Sequence, residues 1–348
     1  MEMLSCSDAN LERAARALAS GLIVAFPTET VYGLGADAFN TAALARVFEA
    51  KNRPAFDPLI VHIADIDSLT RIADTASLGS VGSRRLAILT ERFWPGPLTV
   101  ILPKQKAVPD LVTSGLPTVA VRFPSHPVAQ KLIRLSTGAI AAPSANPFGF
   151  LSPTRADHVR DQLGNRVDFI VDGGKTELGL ESTVVDLTSD LLVDPSGVAP
   201  IILRQGSISI EEIEAVIGPV RVGTSELPAS SGKPNSPGQL KSHYAPGIPL
   251  FLHEHGELAC LLQENGEGRL YFCTPKNIPS LNNDISPEIK VLSLSGDLIE
   301  AAANFFDMLH ELNALDLKLI RAEEAPGYGL GLAINDRLRR AASIEASS

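Results

Sequence analysis

Polar residues close one apolar run after another in this chain. Pro27-Thr-Glu-Thr-Val-Tyr-Gly-Leu-Gly35 follows the apolar run 22–26, and His62 sits in run 59–63 on the opposite pleat face from Val61 and Ile63. Arg122 ends Thr-Val-Ala-Val-Arg, and Ser144-Ala-Asn146 follows run 139–143. In an open α/β sheet the carboxyl ends of strands line the ligand crevice, so these residues are expected to meet at one sheet end. Lys51-Asn-Arg-Pro54 follows a helical stretch and leads through Ala55-Phe-Asp-Pro58 into the His62 run; Arg204 ends run 200–203. Lys51 and Arg53 alone would be helix-end dipole partners. Together with Arg204 and Arg122 they suit a small anionic ligand, with a nucleotide as the first choice.

Common catalytic signatures are missing. Gly33-Leu-Gly35 has Ala38 where a dinucleotide fingerprint needs its third glycine, and Gly174-Lys-Thr176 has Phe169 where a P-loop needs its first. His253 and His255 lack a third ligand nearby and read as surface loop residues. The sequence has no HExxH, GxSxG or EF-hand loop. Its three cysteines, Cys6, Cys260 and Cys273, form no CxxC pair, which excludes a disulfide framework or cysteine zinc site and suits a reducing cytosol.

The elements that must position these residues follow from patterning. The 348 residues suggest about two domains. With 45% apolar and 20% charged residues, the chain has ample core material. Asp8 is expected to cap a helix with Leu11, Ala14, Ala15 and Leu18 on one face, ended by Gly21. Helical stretches at 43–50, 82–93, from 127, and 156–163 alternate with strand-like runs at 22–26, 59–63, 98–102, 118–122, 139–142, 167–171, 183–187 and 200–203. Ser209 and Glu212 form a capping box for the last helix. The order predicts a mixed sheet flanked by helices over residues 1–217.

Gly, Pro, Ser and Lys dominate 218–247, which reads as a linker or functional loop. Residues 248–348 form a smaller α/β unit: strands at 249–252, 269–273, 290–294 and 317–321, helices from about 258, from 297 and from 330. Arg337, Arg339 and Arg340 read as partners of a helix C-terminal dipole. The formal charge is −10, from 30 basic and 40 acidic residues, which argues against a nucleic-acid-coating module. No run nears the ~18 apolar residues of a membrane helix. Glu2, Asp8 and Glu12 do not fit a signal peptide, so a soluble cytoplasmic protein is expected.

In order, 27–35, 51–54 with Pro58-Leu59, Trp94-Pro-Gly-Pro-Leu-Thr99, 119–124, Ala142-Pro-Ser-Ala-Asn146, Ser152-Pro-Thr154, Asp172-Gly-Gly174, Glu181-Ser-Thr-Val184 and Leu203-Arg-Gln-Gly206 resemble the YrdC-like family. Ser236-Pro-Gly238, His243-Tyr-Ala-Pro246 and the closing run Gly329 to Arg337 look like its long, two-domain form, the threonylcarbamoyl-AMP synthases. The resemblance implies a YrdC-like twisted mixed sheet flanked by helices, a smaller C-terminal Rossmann-like α/β domain, and residues 218–247 as a lid over the active site. It also implies a nucleotidyltransferase that condenses L-threonine, bicarbonate or CO₂ and ATP, with Mg²⁺ as ATP's counter-ion and pyrophosphate released. The adenylate product would pass to a separate tRNA threonylcarbamoyl transferase complex, with little direct tRNA binding and no membrane partner.

By the same resemblance, Thr30, His62, Arg122, Ser144 and Ser182 frame threonine and its carbamate, with Arg122 as the fork for the carboxylate. Lys51 and Arg53 are the catalytic cations that hold phosphates and stabilise leaving pyrophosphate. Thr118, Asn146, Ser152 and Arg204 complete the ATP site, Tyr244 folds over it, and the protein supplies no dedicated metal ligand. The family commonly has a basic residue where this chain has Phe150, so apolar packing is expected to hold this loop, with Gly149 keeping the turn. Two alternatives make different demands. An RNA-binding module would not turn over ATP. A carbamoyl-phosphate enzyme of hydrogenase maturation would need a zinc-finger module, which the cysteine count does not allow.

Overall fold

A computed structural model describes residues 1–188, 199–223, 243–274 and 286–342. The chain forms two compact units. The first comprises the described residues of Met1–Phe148, Pro153–Thr176 and Glu181–Leu240; the second comprises Gly149–Ser152, Glu177–Leu180 and the described residues of Lys241–Ser348.

In the first unit the strands are β1 (Glu2–Ser5), β2 (Val24–Pro27), β3 (Tyr32–Asp37), β4 (Ile60–Ile63), β5 (Leu98–Pro103), β6 (Thr118–Arg122), β7 (Ala139–Ala141), β8 (Phe169–Asp172), β9 (Thr183–Asp186), β10 (Ile201–Arg204) and β11 (Arg221–Val222). The helices are α1 (Asp8–Ala19), α2 (Thr41–Lys51), α3 (Leu69–Ile72), α4 (Gly79–Phe93), α5 (Asp110–Thr113), α6 (Pro127–Leu135), α7 (Ala156–Leu163) and α8 (Ile210–Ile217). The strands form one sheet in the order β1-β8-β2-β3-β7-β4-β6-β5-β9-β10-β11. Parallel pairs such as β4 with β6 and β5 with β9 alternate with antiparallel ones such as β2 with β3 and β5 with β6, giving the mixed sheet expected. Residues of β2 and β4 are buried throughout, which explains why both read as continuous apolar runs.

Helix ends follow local chemistry with one correction. Ser7, not Asp8, caps α1: its side chain accepts from Asn10 N, and Asp8 is the first-turn acid. Asn40 caps α2 by accepting from the amides of Ala42 and Ala43, and Asn52 closes it in the left-handed region at φ 51°. The capping box of Ser209 and Glu212 is present at α8.

A second correction concerns residues 27–35. The second part of this segment belongs to β3, a strand absent from the expected runs, antiparallel to β2, with Phe26 opposite Gly33 and Pro27 opposite Tyr32. Its glycines hid it from a propensity reading. A Cβ at Gly35 would lie 2.7 Å from both the Ile140 and Phe26 side chains, so glycine is needed where these strands pack.

The second unit contains β12 (Leu250–His253), β13 (Glu267–Cys273), β14 (Ile289–Ser293), β15 (Leu319–Glu323), α9 (Leu298–Asn313) and α10 (Leu330–Ala342). Its sheet is wholly parallel in the order β12-β15-β13-β14, a Rossmann-like arrangement. The helix expected from about 258 is only a 3₁₀ turn, Leu258–Cys260. His253 lies on β12 rather than in a loop, and the exposed His255 pairs with the buried Glu323 at 2.8 Å. Arg337 is fully buried, its guanidinium carbon 5.4 Å from the Tyr244 ring centroid, so it is a core residue rather than a terminal dipole partner. Phe150 itself is exposed, but Leu151 beside it is buried, a backbone bridge joins Phe150 to Ala245, and Gly149 adopts φ +88°. Among the described residues, no helix is long and apolar enough to cross a membrane.

Candidate active site

One row of residues crosses six strands of the first unit. Ile140 on β7 stands opposite His62 on β4, His62 opposite Arg122 on β6, Arg122 opposite Thr99 on β5, Thr99 opposite Val184 on β9, and Val184 opposite Arg204 on β10. Directly opposed residues project from the same face of a sheet. Four polar side chains from distant parts of the chain therefore share one line. At about 4.8 Å per strand, His62 and Arg204 end up about 19 Å apart. A register shift between Ile202 and Arg204 sets the last residue in line.

Arg122 is the hub at one end. Its Nη1 donates to Thr30 Oγ1 at 2.9 Å, its Nη2 to Glu29 Oε1 at 2.7 Å, and its Nε to Gly96 O at 3.4 Å. Thr28 shares a 2.8 Å hydroxyl contact with Thr30, and all four side chains are buried. Burial would raise the Glu29 carboxyl, but the charge and hydrogen bond of Arg122 hold it below its usual range. His62 contacts Ile60 O through Nδ1 at 3.2 Å and meets Phe26 edge to face. Burial first, then the charge of Arg122, lowers its pKa to about 3, so the imidazole is neutral.

At the other end Arg204 donates from Nη2 to Ser182 Oγ at 2.9 Å and from Nε to Ser182 O at 3.0 Å. Ser182 Oγ in turn contacts Thr99 Oγ1 at 2.7 Å. Gly206 permits this: a Cβ there would lie 2.4 Å from Glu181 O and 2.6 Å from Ser182 O.

Lys51, the last residue of α2, is buried, and its Nζ donates to Ser144 O at 2.6 Å and to Asn146 O. Burial, reinforced by Arg53, pushes its pKa well below the ordinary lysine value. Phe148 N bonds back to Lys51 O at 2.8 Å, so the 144–148 segment is tied to the end of α2. Arg53 bonds Asp57 O at 3.0 Å and Pro58 O at 2.7 Å and pairs with the Asp57 carboxylate at 2.8 Å. It thereby fixes the turn that leads into β4.

The structure thus joins Thr30 to Arg122, Ser182 to Arg204, and Lys51 to Ser144 and Asn146, with His62 in register beside Arg122. Thr118 begins the strand that Arg122 ends, roughly 13 Å away at 3.3 Å per residue. Ser152 and Tyr244 belong to the second unit. There Ser152 O contacts His310 Nε2 at 3.1 Å, and Tyr244, at φ +65°, packs on His243 and Phe306. Most of the expected lid, 224–242, lies outside the described residues. Sequence reasoning passed over Glu29 and Thr99. The signal for Glu29 was an acid two residues beyond a buried strand; for Thr99, a hydroxyl inside an apolar one.

The chain and its fold have counterparts among known proteins. Residues 16–206 match the family described as "Telomere recombination", and residues 208–343 match "Threonylcarbamoyl-AMP synthase, C-terminal domain". The chain is 43% identical to the threonylcarbamoyl-AMP synthase of Bacillus subtilis, covering 97% of this chain and 94% of that protein. It is 40% identical to that of Pyrococcus abyssi, covering 94% and 92%. A crystal structure of P. abyssi Sua5 complexed with L-threonine superimposes with a TM-score of 0.83 at 38% identity, covering 98% of each chain. Fold and sequence define a YrdC-like nucleotidyltransferase. The chain belongs to the threonylcarbamoyl-AMP synthase family, in its two-domain form.

Proposed function

We propose that this enzyme condenses L-threonine, bicarbonate or CO₂, and the magnesium complex of ATP into threonylcarbamoyl-adenylate and pyrophosphate. The threonine amine adds to the CO₂ carbon and loses a proton. A carbamate oxygen then attacks the α-phosphorus, and pyrophosphate leaves as that P–O bond breaks. This chemistry calls for positioning and charge neutralisation rather than a protein nucleophile. The observation that carries the reading is the single sheet row that aligns His62, Arg122, Thr99 and Arg204, with L-threonine bound to the P. abyssi relative as support.

In this reading Arg122 and Thr30 receive the amino-acid end, with neutral His62, Ser144 and Ser182 around the carbamate. Lys51, Arg53 and Arg204 face the phosphates, and Thr118, Asn146 and Ser152 complete the nucleotide site. Residues 218–247, with Tyr244, act as a lid that keeps water from the adenylate. Magnesium arrives on ATP. This cation usually keeps several waters and binds through substrate phosphates with one or two carboxylates. The adenylate then serves a cytoplasmic transferase complex that modifies tRNA adenosine beside the anticodon.

The test is chromatography with mass detection after incubation with ATP, magnesium, bicarbonate and L-threonine, with serine and no-amino-acid controls. Pyrophosphate and an adenylate that depends on both threonine and bicarbonate are expected. ATP left intact by folded protein would sink the assignment.

A further inference from the structure

Glu29 and Arg122 form a buried ion pair inside a site that, on the proposed reaction, receives three different anions. Glu29 is 3% exposed and Arg122 4%, and their contact measures 2.7 Å. The second Glu29 oxygen accepts from His126 N at 3.4 Å, the N-cap of α6, so the carboxylate is held from both sides. A guanidinium has five N–H groups. Three are engaged, by Glu29, Thr30 and Gly96 O. Among the described residues, these contacts leave one N–H on each Nη for a ligand oxygen.

We infer that Glu29 is a specificity-determining residue that cancels the charge of Arg122, so that this arginine selects a planar monoanionic carboxylate by geometry and refuses polyanions. The physical reason lies in the competition within the site. An uncompensated, desolvated arginine attracts a phosphate dianion more strongly than a carboxylate monoanion, because Coulomb attraction scales with ligand charge. Paired with Glu29, Arg122 offers direction without net charge. Phosphates are then left to Lys51 and Arg204, whose contacts described above are to carbonyl and hydroxyl oxygens.

This inference rests on the proposed threonine site, and its test separates the two. Competition of inorganic phosphate against L-threonine would be measured by calorimetry and by adenylate formation in the wild-type chain, Glu29→Gln and Glu29→Asp. Glu29→Gln keeps the shape and removes the charge. The ratio of phosphate Ki to threonine Kd is expected to fall about tenfold, the size of one unit charge felt across a partly screened site. Glu29→Asp keeps the charge and is expected to restore the wild-type ratio even if threonine binds more weakly. A residue that merely braces the fold would change stability and both constants together, leaving the ratio in place. An unchanged ratio in folded Glu29→Gln, or a fallen ratio in Glu29→Asp, overturns the inference. A wild-type chain that binds no L-threonine overturns the underlying reading instead.

Discussion

His62 and Arg122 stand directly opposite each other on the parallel strands β4 and β6, the imidazole neutral beside a guanidinium already held by Glu29. Their proximity has a consequence for pH. Burial and Arg122 lower His62 to about 3 from 6.5, so between those values the unfolded chain binds a proton that the folded chain does not. Stability therefore falls as pH drops through this window, by up to about 1.4 kcal/mol per pH unit for one proton. Denaturant titrations from pH 7 to 4 should give a shallower decline for His62→Gln than for the wild type. Equal slopes would show that His62 is not buried in its neutral form.

Thr99, Ser182 and Arg204 make one hydrogen-bonded chain, so their contributions should not add. Thr99→Val keeps the shape and removes the hydroxyl. We expect a several-fold loss of kcat/KM for L-threonine and a coupling of about 1 kcal/mol with Ser182→Ala. Strict additivity in that double-mutant cycle would refute the chain.

Lys51 ties two carbonyls, Ser144 O and Asn146 O, to the end of α2. Lys51→Met fills the space but leaves those carbonyls without their donor. A loss of about 2 kcal/mol in stability together with a raised KM for ATP is expected. A drop in kcat with stability intact would indicate that Lys51 serves the phosphates alone.

Tyr244 packs against His243, Phe306 and Arg337 in the second unit. Tyr244→Ala should lower the melting temperature, with a cost of about 3 kcal/mol for deleting a buried aromatic ring. Tyr244→Phe should keep the ring's packing and reduce adenylate yield several-fold. Full yield from Tyr244→Phe would remove the hydroxyl from the mechanism.

Chelation distinguishes magnesium carried by ATP from a metal held by the protein. With excess ethylenediaminetetraacetate, pyrophosphate release should stop while calorimetric L-threonine binding persists unchanged. Loss of threonine binding would point to a metal within the amino-acid site.

The sequence alone determined most of the longer elements and their order. Continuous apolar runs specified β2, β4, β5 and β6 because a strand buried on both faces has no polar face to interrupt it. A helix is also expected near residues 156–163, where α7 lies. Local chemistry also set the capping box at Ser209, and ordered motifs marked Arg122, Ser182 and Arg204. Register decided the rest. Whether Thr99 lies opposite Arg122, or Val184 opposite both Thr99 and Arg204, depends on pairing between segments far apart in the chain, and a one-residue slip would turn each side chain to the other face. The same holds for β3, where glycines conceal a strand that exists only because β2 and β7 flank it. It holds for Glu29 too: next to Thr28 and Thr30 it reads as one more loop polar residue. Only the fold brings Arg122 from 93 residues away to 2.7 Å and makes it half of a buried ion pair.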